Sequence, residues 1–200
     1  MPVWTRVGSS AALAAAGWGW CWQARGSEDA VYALLVAAGM TLGLVGDLFM
    51  CKVVPAPDRV VAGMGSFGLG HMAYIGALMS RGSRLGLMSS GNLWAAWAGW
   101  LLIGLVGWYL AAFHSRRPSP LRWAALPYAL LLASTAGIAT GLATQSPSLV
   151  PVAMGGGLFL LSDLILAARV FRNWHPFLVE DAIWLTYGPA QSLIVYGAWL

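Results

Sequence analysis

Seven apolar runs divide the chain, at about residues 7–23, 30–51, 60–80, 91–113, 121–143, 150–171 and 178–199. A helix needs roughly 20 mainly apolar residues to cross a hydrocarbon core, and these runs are of that order. The segments between them are short and gather the breakers and charges: QARGSED, KVVPAPDR, RGSR with a small-residue stretch after it, HSRRPSP, TQSPS and RNWHPF. The pattern predicts an all-α fold, a polytopic integral membrane helix bundle of seven transmembrane helices. No linker, repeat or low-complexity segment interrupts it, so residues 1–200 are expected to form a single transmembrane domain. The first run is Ala/Gly-rich and the weakest. It has the look of a signal peptide, but no small-residue cleavage site precedes a soluble domain and another apolar run follows directly, so it reads as a first helix.

Composition agrees. The chain is 59% hydrophobic and 9% charged, with mean hydropathy +0.71, whereas soluble domains carry about 25% charged residues. Too little charge is present to clothe a water-facing surface, which excludes a soluble globular domain. Twelve tryptophans and 25 glycines suit membrane interfaces and close helix packing. The net charge of +4 sits in the connections, where it orients the chain and meets lipid headgroups; nucleic-acid binding would need a basic face with interleaved polar residues. Arg6, Lys52, Arg59, Arg116, Arg117, Arg122, Arg169 and Arg172 fall on one side, and Arg25, Arg81 and Arg84 on the other. Eight against three predicts a cytoplasmic N-terminus and, with seven spans, an outer C-terminus. Cys21 and Cys51 have neither CxxC spacing nor histidine companions, so they read as small apolar fillers.

Ionisable and polar groups inside spans then become the candidates for chemistry. Asp47 stands in LVGDLFMC near the end of the second run, and Gly39, Gly43 and Asp47 recur at i, i+4 and i+8, a small-residue face that admits a neighbouring helix. A structural cap, or a pair with Lys52, also fits Asp47. In the third run Phe67, His71 and Tyr74 share a face, with Ser66 and Gly70 forming a small-xxx-small pair. A hydrogen-bonded structural histidine fits His71 as well as a catalyst does. Asp163, in FLLSDLIL, has no basic residue before Arg169 and is too deep for an interface cap. Phe159 precedes it by one turn, and Ser162 can bond to the preceding turn; a structural bond to a neighbouring helix is the competing reading for this aspartate. Tyr187 and Gln191 follow at i, i+4 in the last run, whose acidic start, Glu180 and Asp181, suits a helix N-terminus. With alternating span directions, Asp47, His71, Asp163, Tyr187 and Gln191 all fall between the membrane centre and the cytoplasmic face.

The motifs also have an order: Gly46-Asp47 and a short basic connection, then Gly65 to Gly70-His71 with Tyr74, then Leu158-Phe159 with Ser162-Asp163 and Leu166-Ala167, and finally Tyr187 with Gln191. This ordered set, over roughly residues 30–200, resembles the YhhN-like lysoplasmalogenase family. The resemblance implies a membrane-embedded hydrolase that cleaves the vinyl-ether bond of lysoplasmalogen to a fatty aldehyde and glycerophospho-ethanolamine or -choline. It also implies a multi-pass location, with a bacterial cytoplasmic membrane expected. The resemblance further implies, from longer relatives with eight spans, the expectation that an N-terminal helix of the family pattern is missing here. The family's Lys-Pro pair would fall at Arg6-Val7, which keeps the charge and loses the proline.

Vinyl ethers are stable to base and hydrolyse by protonation of an alkene carbon, giving an oxocarbenium ion that water captures. Glycosidases meet the same cation with paired carboxyl groups. Apolar surroundings favour a carboxyl group's neutral form, and two close carboxyls titrate as a coupled pair. The expected roles are Asp163 as proton donor and Asp47, nearer water and Lys52, as carboxylate, with the reverse assignment also open. His71 is expected to complete the catalytic set, orienting water or the departing oxygen together with Tyr74. Tyr74, Ser162, Tyr187 and Gln191 are expected to contact substrate, and Lys52 or Arg59 its phosphate. No cofactor or metal is expected. The expected partners are a lysophospholipid substrate and membrane lipids, with the protein a monomer or homodimer. Two other classes remain open at this point: a proton- or cation-coupled transporter, although no duplicated halves are detectable, and a lipid-binding protein without turnover.

Overall fold

The structure is a computed structural model that describes residues 2–114 and 120–197. Among these residues seven α-helices form and no strand: α1 (Val3–Gln23), α2 (Ala30–Met50), α3 (Arg59–Arg84), α4 (Gly91–Trp108), α5 (Leu121–Ala143), α6 (Val150–Arg172) and α7 (Val179–Gly197). They coincide with the seven apolar runs. α4 continues through a π-helical turn, Tyr109–Phe113, and a 3-10 turn at Pro147–Leu149 leads into α6. Arg116 and Arg117, two of the eight charges counted towards orientation, lie outside the described residues.

Local chemistry sets the ends. Asp58 caps α3, accepting from the backbone N–H groups of Val60 and Val61, and Ser90 caps α4 through Asn92 N–H. Asn173 closes α6 in the left-handed conformation (φ 55°), one of the few non-glycine residues at ease there. Lys52 turns the chain after α2 with φ 65°, without that excuse.

Six helices close a ring in the order α1, α2, α3, α5, α6, α7, and back to α1. α4 stands outside it against α5, with its π turn on α6. That placement explains why only Leu93, Gly104 and Trp108 of α4 are buried, whereas α5 is buried along most of its length. Small residues permit the closest approaches. A Cβ on Gly39 would lie 2.3 Å from the Tyr74 ring, one on Gly46 2.7 Å from Phe67, and one on Gly43 3.1 Å from Gln191 Nε2. The face of α2 foreseen from its spacing is therefore where α3 and α7 dock.

Among the described residues four helical stretches are long and apolar enough to cross a membrane: Ala30–Met50, Gly91–Phe113, Leu121–Ala143 and Pro147–Arg172. α1, α3 and α7 are less apolar, and they are the helices that carry Ser10, His71 and Gln191 inward, each about 1% exposed. Outward surfaces are apolar, as with Leu102, Ile103 and Leu185. Exposed tryptophans mark the helix ends, Trp4, Trp123 and Trp174 at one and Trp22 and Trp94 at the other, the distribution expected at two bilayer interfaces.

Candidate active site

The helix ends at the start of α1, α3, α5 and α7 and the end of α2 and α6 form one face, which carries Arg6, Lys52, Arg59, Arg122, Arg169 and Arg172. Just inside it lies a polar cluster built around Asp47. Asp47 Oδ2 accepts from Ser10 Oγ at 2.5 Å and from Tyr187 Oη at 2.9 Å. Gln191 Nε2 donates to Tyr187 Oη at 2.5 Å, and Ser10 Oγ lies 3.4 Å from Gln191 Oε1. Three helices thus meet at one carboxylate oxygen. The whole group is enclosed, with Asp47 3% exposed. Buried polar groups require such partners, because a bare carboxyl among apolar helices is strongly unfavourable.

Asp163, on α6, accepts a hydrogen bond from Tyr128 Oη of α5. The neighbouring Ser162 turns the other way and donates to Ile183 O of α7 at 3.0 Å, fixing α6 against α7. Phe67, Phe159 and Tyr187 pack edge-to-face between the two carboxyl groups' helices, at ring separations of 5.1–6.1 Å.

Both aspartates line one cavity of about 90 Å³, with Ser162, Tyr187, Arg6, Arg169 and Glu180 also in its wall. A second cavity, of about 60 Å³, is almost wholly apolar and is lined by residues such as Met64, Trp108, Leu132, Leu164 and Phe171. Asp163, Phe67, Met50 and Leu166 belong to both walls. Asp163 therefore stands where a polar chamber meets an apolar one. Farther out, Lys52 and Arg59 line an open depression with Arg169, Asn173 and His175. In the wall of the polar cavity Glu180 joins two arginines, its two carboxylate oxygens accepting from Arg6 (3.2 Å) and Arg169 (2.6 Å).

The residues anticipated from sequence separate into three groups. Asp47, Asp163, Ser162 and Tyr187 come together in the polar cavity, with Gln191 behind Tyr187. His71 and Tyr74 are not among the described residues that line it. His71 Nδ1 lies 2.9 Å from Thr135 Oγ1, its ring packs on Phe159 at 4.5 Å, and Nε2 is buried without a partner among the described residues. Because Thr135 Oγ1 also donates to Leu131 O, the simplest proton placement makes Nδ1–H the donor to Thr135. Tyr74 Oη donates to Met40 Sδ at 2.8 Å. Lys52 and Arg59 form the third group, in the outer depression. Lys52 does not meet Asp47, because the left-handed turn carries it outward, and Asp47 is the more enclosed of the two aspartates. Three participants went unforeseen: Ser10, Tyr128 and the Arg6–Glu180–Arg169 bridge. Arg6 and Ser10 lie one helical turn apart, the spacing that signals a shared face.

Among the described residues no three histidine, cysteine, aspartate or glutamate side chains converge as a metal site would require. The YhhN family model matches residues 4–198. The chain belongs to the YhhN family. No curated protein and no solved structure matches it. The match reaches into α1, farther than the motifs that begin near residue 30, and so takes in the helix that brings Ser10 to Asp47. Family membership, the composition and the four apolar helices together describe a membrane protein of the YhhN family.

Proposed function

We propose that this YhhN protein hydrolyses the vinyl-ether bond of lysoplasmalogens. The observation that carries the reading is the shared cavity: two carboxyl groups face one polar chamber, and one of them also borders an apolar chamber. An alkenyl chain suits the apolar side, and the glycerophospho end suits the side that opens towards the basic face. The reactive double bond, at the junction of chain and glycerol, then falls beside Asp163.

In this reading Asp163 protonates the alkene carbon and becomes a carboxylate. The oxocarbenium ion is captured by water, whose proton passes to Asp47, giving a hemiacetal. Collapse reverses both transfers: Asp163 takes the hemiacetal hydroxyl proton, and Asp47 returns its proton to the departing glycerol oxygen. Aldehyde and glycerophospho headgroup leave, and both aspartates are restored. Asp47 suits the accepting role because Ser10 and Tyr187 both donate to it, and Gln191 fixes Tyr187 by donating to its hydroxyl oxygen. His71 and Tyr74 support the site from the packed interior, through Phe159, which touches both His71 and Tyr187.

The reading includes seven spans with the basic face in the cytoplasm, so α1, α3 and α7 cross the membrane as polar-cored members of the ring. A bacterial cytoplasmic membrane is the proposed location, and a lysophospholipid entering from its inner leaflet the proposed partner. The test is aldehyde release by purified protein from 1-alkenyl lysophospholipid. Release that disappears in folded Asp47→Asn and Asp163→Asn proteins supports the reading. Undiminished turnover in a folded Asp163→Asn protein would sink the acid role.

A further inference from the structure

The bridge in the wall of the polar cavity has features that a surface ion pair lacks. Glu180 presents one carboxylate oxygen to each of two arginines from different helices, Arg6 of α1 and Arg169 of α6. The arginines are unequally exposed, 14% for the Arg6 side chain and 33% for Arg169, while Glu180 itself is 48% exposed. Arg6 is further held over the Trp184 ring at 5.0 Å, and its Nε is buried with no partner among the described residues. A well-enclosed guanidinium thus keeps an unused donor beside a cavity that also contains Asp47 and Asp163.

We infer that Arg6 and Arg169 form the binding site for the phosphate of a lysophospholipid, and that Glu180 occupies this site in its absence as a displaceable carboxylate. A phosphodiester offers two nonbridging oxygens and one negative charge, the same count as the Glu180 carboxylate, and guanidinium groups bind both anions by the same fork geometry. Exchange therefore leaves the charge between the arginines unchanged. The exchange costs little on the carboxylate's side, since Glu180 is half-exposed and regains water as it leaves while the phosphate takes its place on the arginines. The substituted phosphate would also reach the orphaned Arg6 Nε, which the carboxylate leaves unused. The inference rests on the proposed reading for the class of lipid, and narrows the phosphate contact from Lys52 and Arg59 to a pair at the wall of the reaction cavity.

Binding to purified protein in detergent, measured with a saturated 1-O-alkyl lysophosphatidylethanolamine, tests this without any cleavage. The comparison ligands are the matching 1-O-alkylglycerol, which lacks phosphate, and inorganic phosphate. Wild-type protein is expected to bind the lysophospholipid about tenfold or more tightly than the alkylglycerol, the order set by one charge-assisted hydrogen bond. Arg6→Gln and Arg169→Gln should each erase most of that advantage, with Arg6→Lys and Arg169→Lys retaining part of it. Glu180→Gln should enlarge it by up to about fivefold, because the resident competitor is gone. Melting temperatures confirm which variants are folded, and the lysine variants keep the test open should a glutamine variant not fold. Equal affinity for the two lipids overturns the inference, as does a phosphate advantage that survives both arginine substitutions. Competition by inorganic phosphate as strong as that by the lysolipid would overturn the assignment to a lipid headgroup. Arginine-dependent binding without aldehyde release from lysoplasmalogen would contradict the hydrolase and leave the phosphate site standing, whereas turnover with arginine-independent binding would do the reverse.

Discussion

Replacing Ser10 by alanine tests the construction of the site at its least expected point. Ser10 supplies one of two hydroxyl donors to Asp47 Oδ2, at 2.5 Å, in a setting with almost no solvent to replace it. A hydrogen bond to a charged group contributes about 1.5–3 kcal/mol. Lost wholly from the transition state, that energy is about a tenfold to hundredfold fall in rate, since 1.36 kcal/mol corresponds to roughly one factor of ten. Tyr187 remains as the second donor, so Ser10→Ala and Tyr187→Phe alone should each be partial. The double variant should lose more than the two losses added, because only then is the oxygen left without a donor. The assay is initial-rate aldehyde release, paired with thermal unfolding of the same preparations. Wild-type turnover and wild-type unfolding in Ser10→Ala would refute the placement of α1 against Asp47.

Other predictions probe the remaining parts. Gly39→Ala would drive a methyl into the Tyr74 ring and should destabilise the fold by about 1–3 kcal/mol, read as a lowered melting temperature; an unchanged melting temperature would contradict the α2–α3 approach. Tyr128→Phe removes the hydroxyl that bonds Asp163 and should lower turnover by about tenfold, within the range for hydrogen bonds to charged groups, with little change in substrate binding. Turnover should follow a bell-shaped pH profile, one limb losing the carboxylate and the other losing the acid of the coupled pair; a flat profile in the chemical step would contradict a two-carboxyl mechanism. A cysteine at position 59, in a Cys21/Cys51-free background, should react with an impermeant thiol reagent only from the cytoplasmic side of the membrane.

Much of the fold is legible in the residues. The α2 spacing Gly39, Gly43, Asp47 anticipates a docking face because helical periodicity and side-chain size are local properties, and the structure fills that face with Tyr74 and the Tyr187–Gln191 pair. The pairing of distant groups is not local. Nothing near Ser10 in an Ala/Gly-rich run says that its hydroxyl meets Asp47, 37 positions away, or that Tyr128 meets Asp163. His71 is instructive in the other direction. Its one-turn spacing from Phe67 and Tyr74 does place the three on one face, but of these only Phe67 reaches the cavity wall, while His71 and Tyr74 pack on Thr135, Phe159 and Met40. Glu180 at the start of α7 reads locally as a favourable helix terminus, and only the ring closure of α1, α6 and α7 shows that it joins two arginines.

The central claim is that a carboxylic acid delivers a proton to carbon. Hydrolysis of lysoplasmalogen in D2O, with the released aldehyde reduced at once to the alcohol and weighed by mass spectrometry, measures that step. The mechanism predicts an alcohol carrying a single deuterium on the carbon next to the former carbonyl, and none formed by Asp163→Asn. Alcohol without deuterium at that carbon, or no aldehyde from active-folded protein, would contradict it.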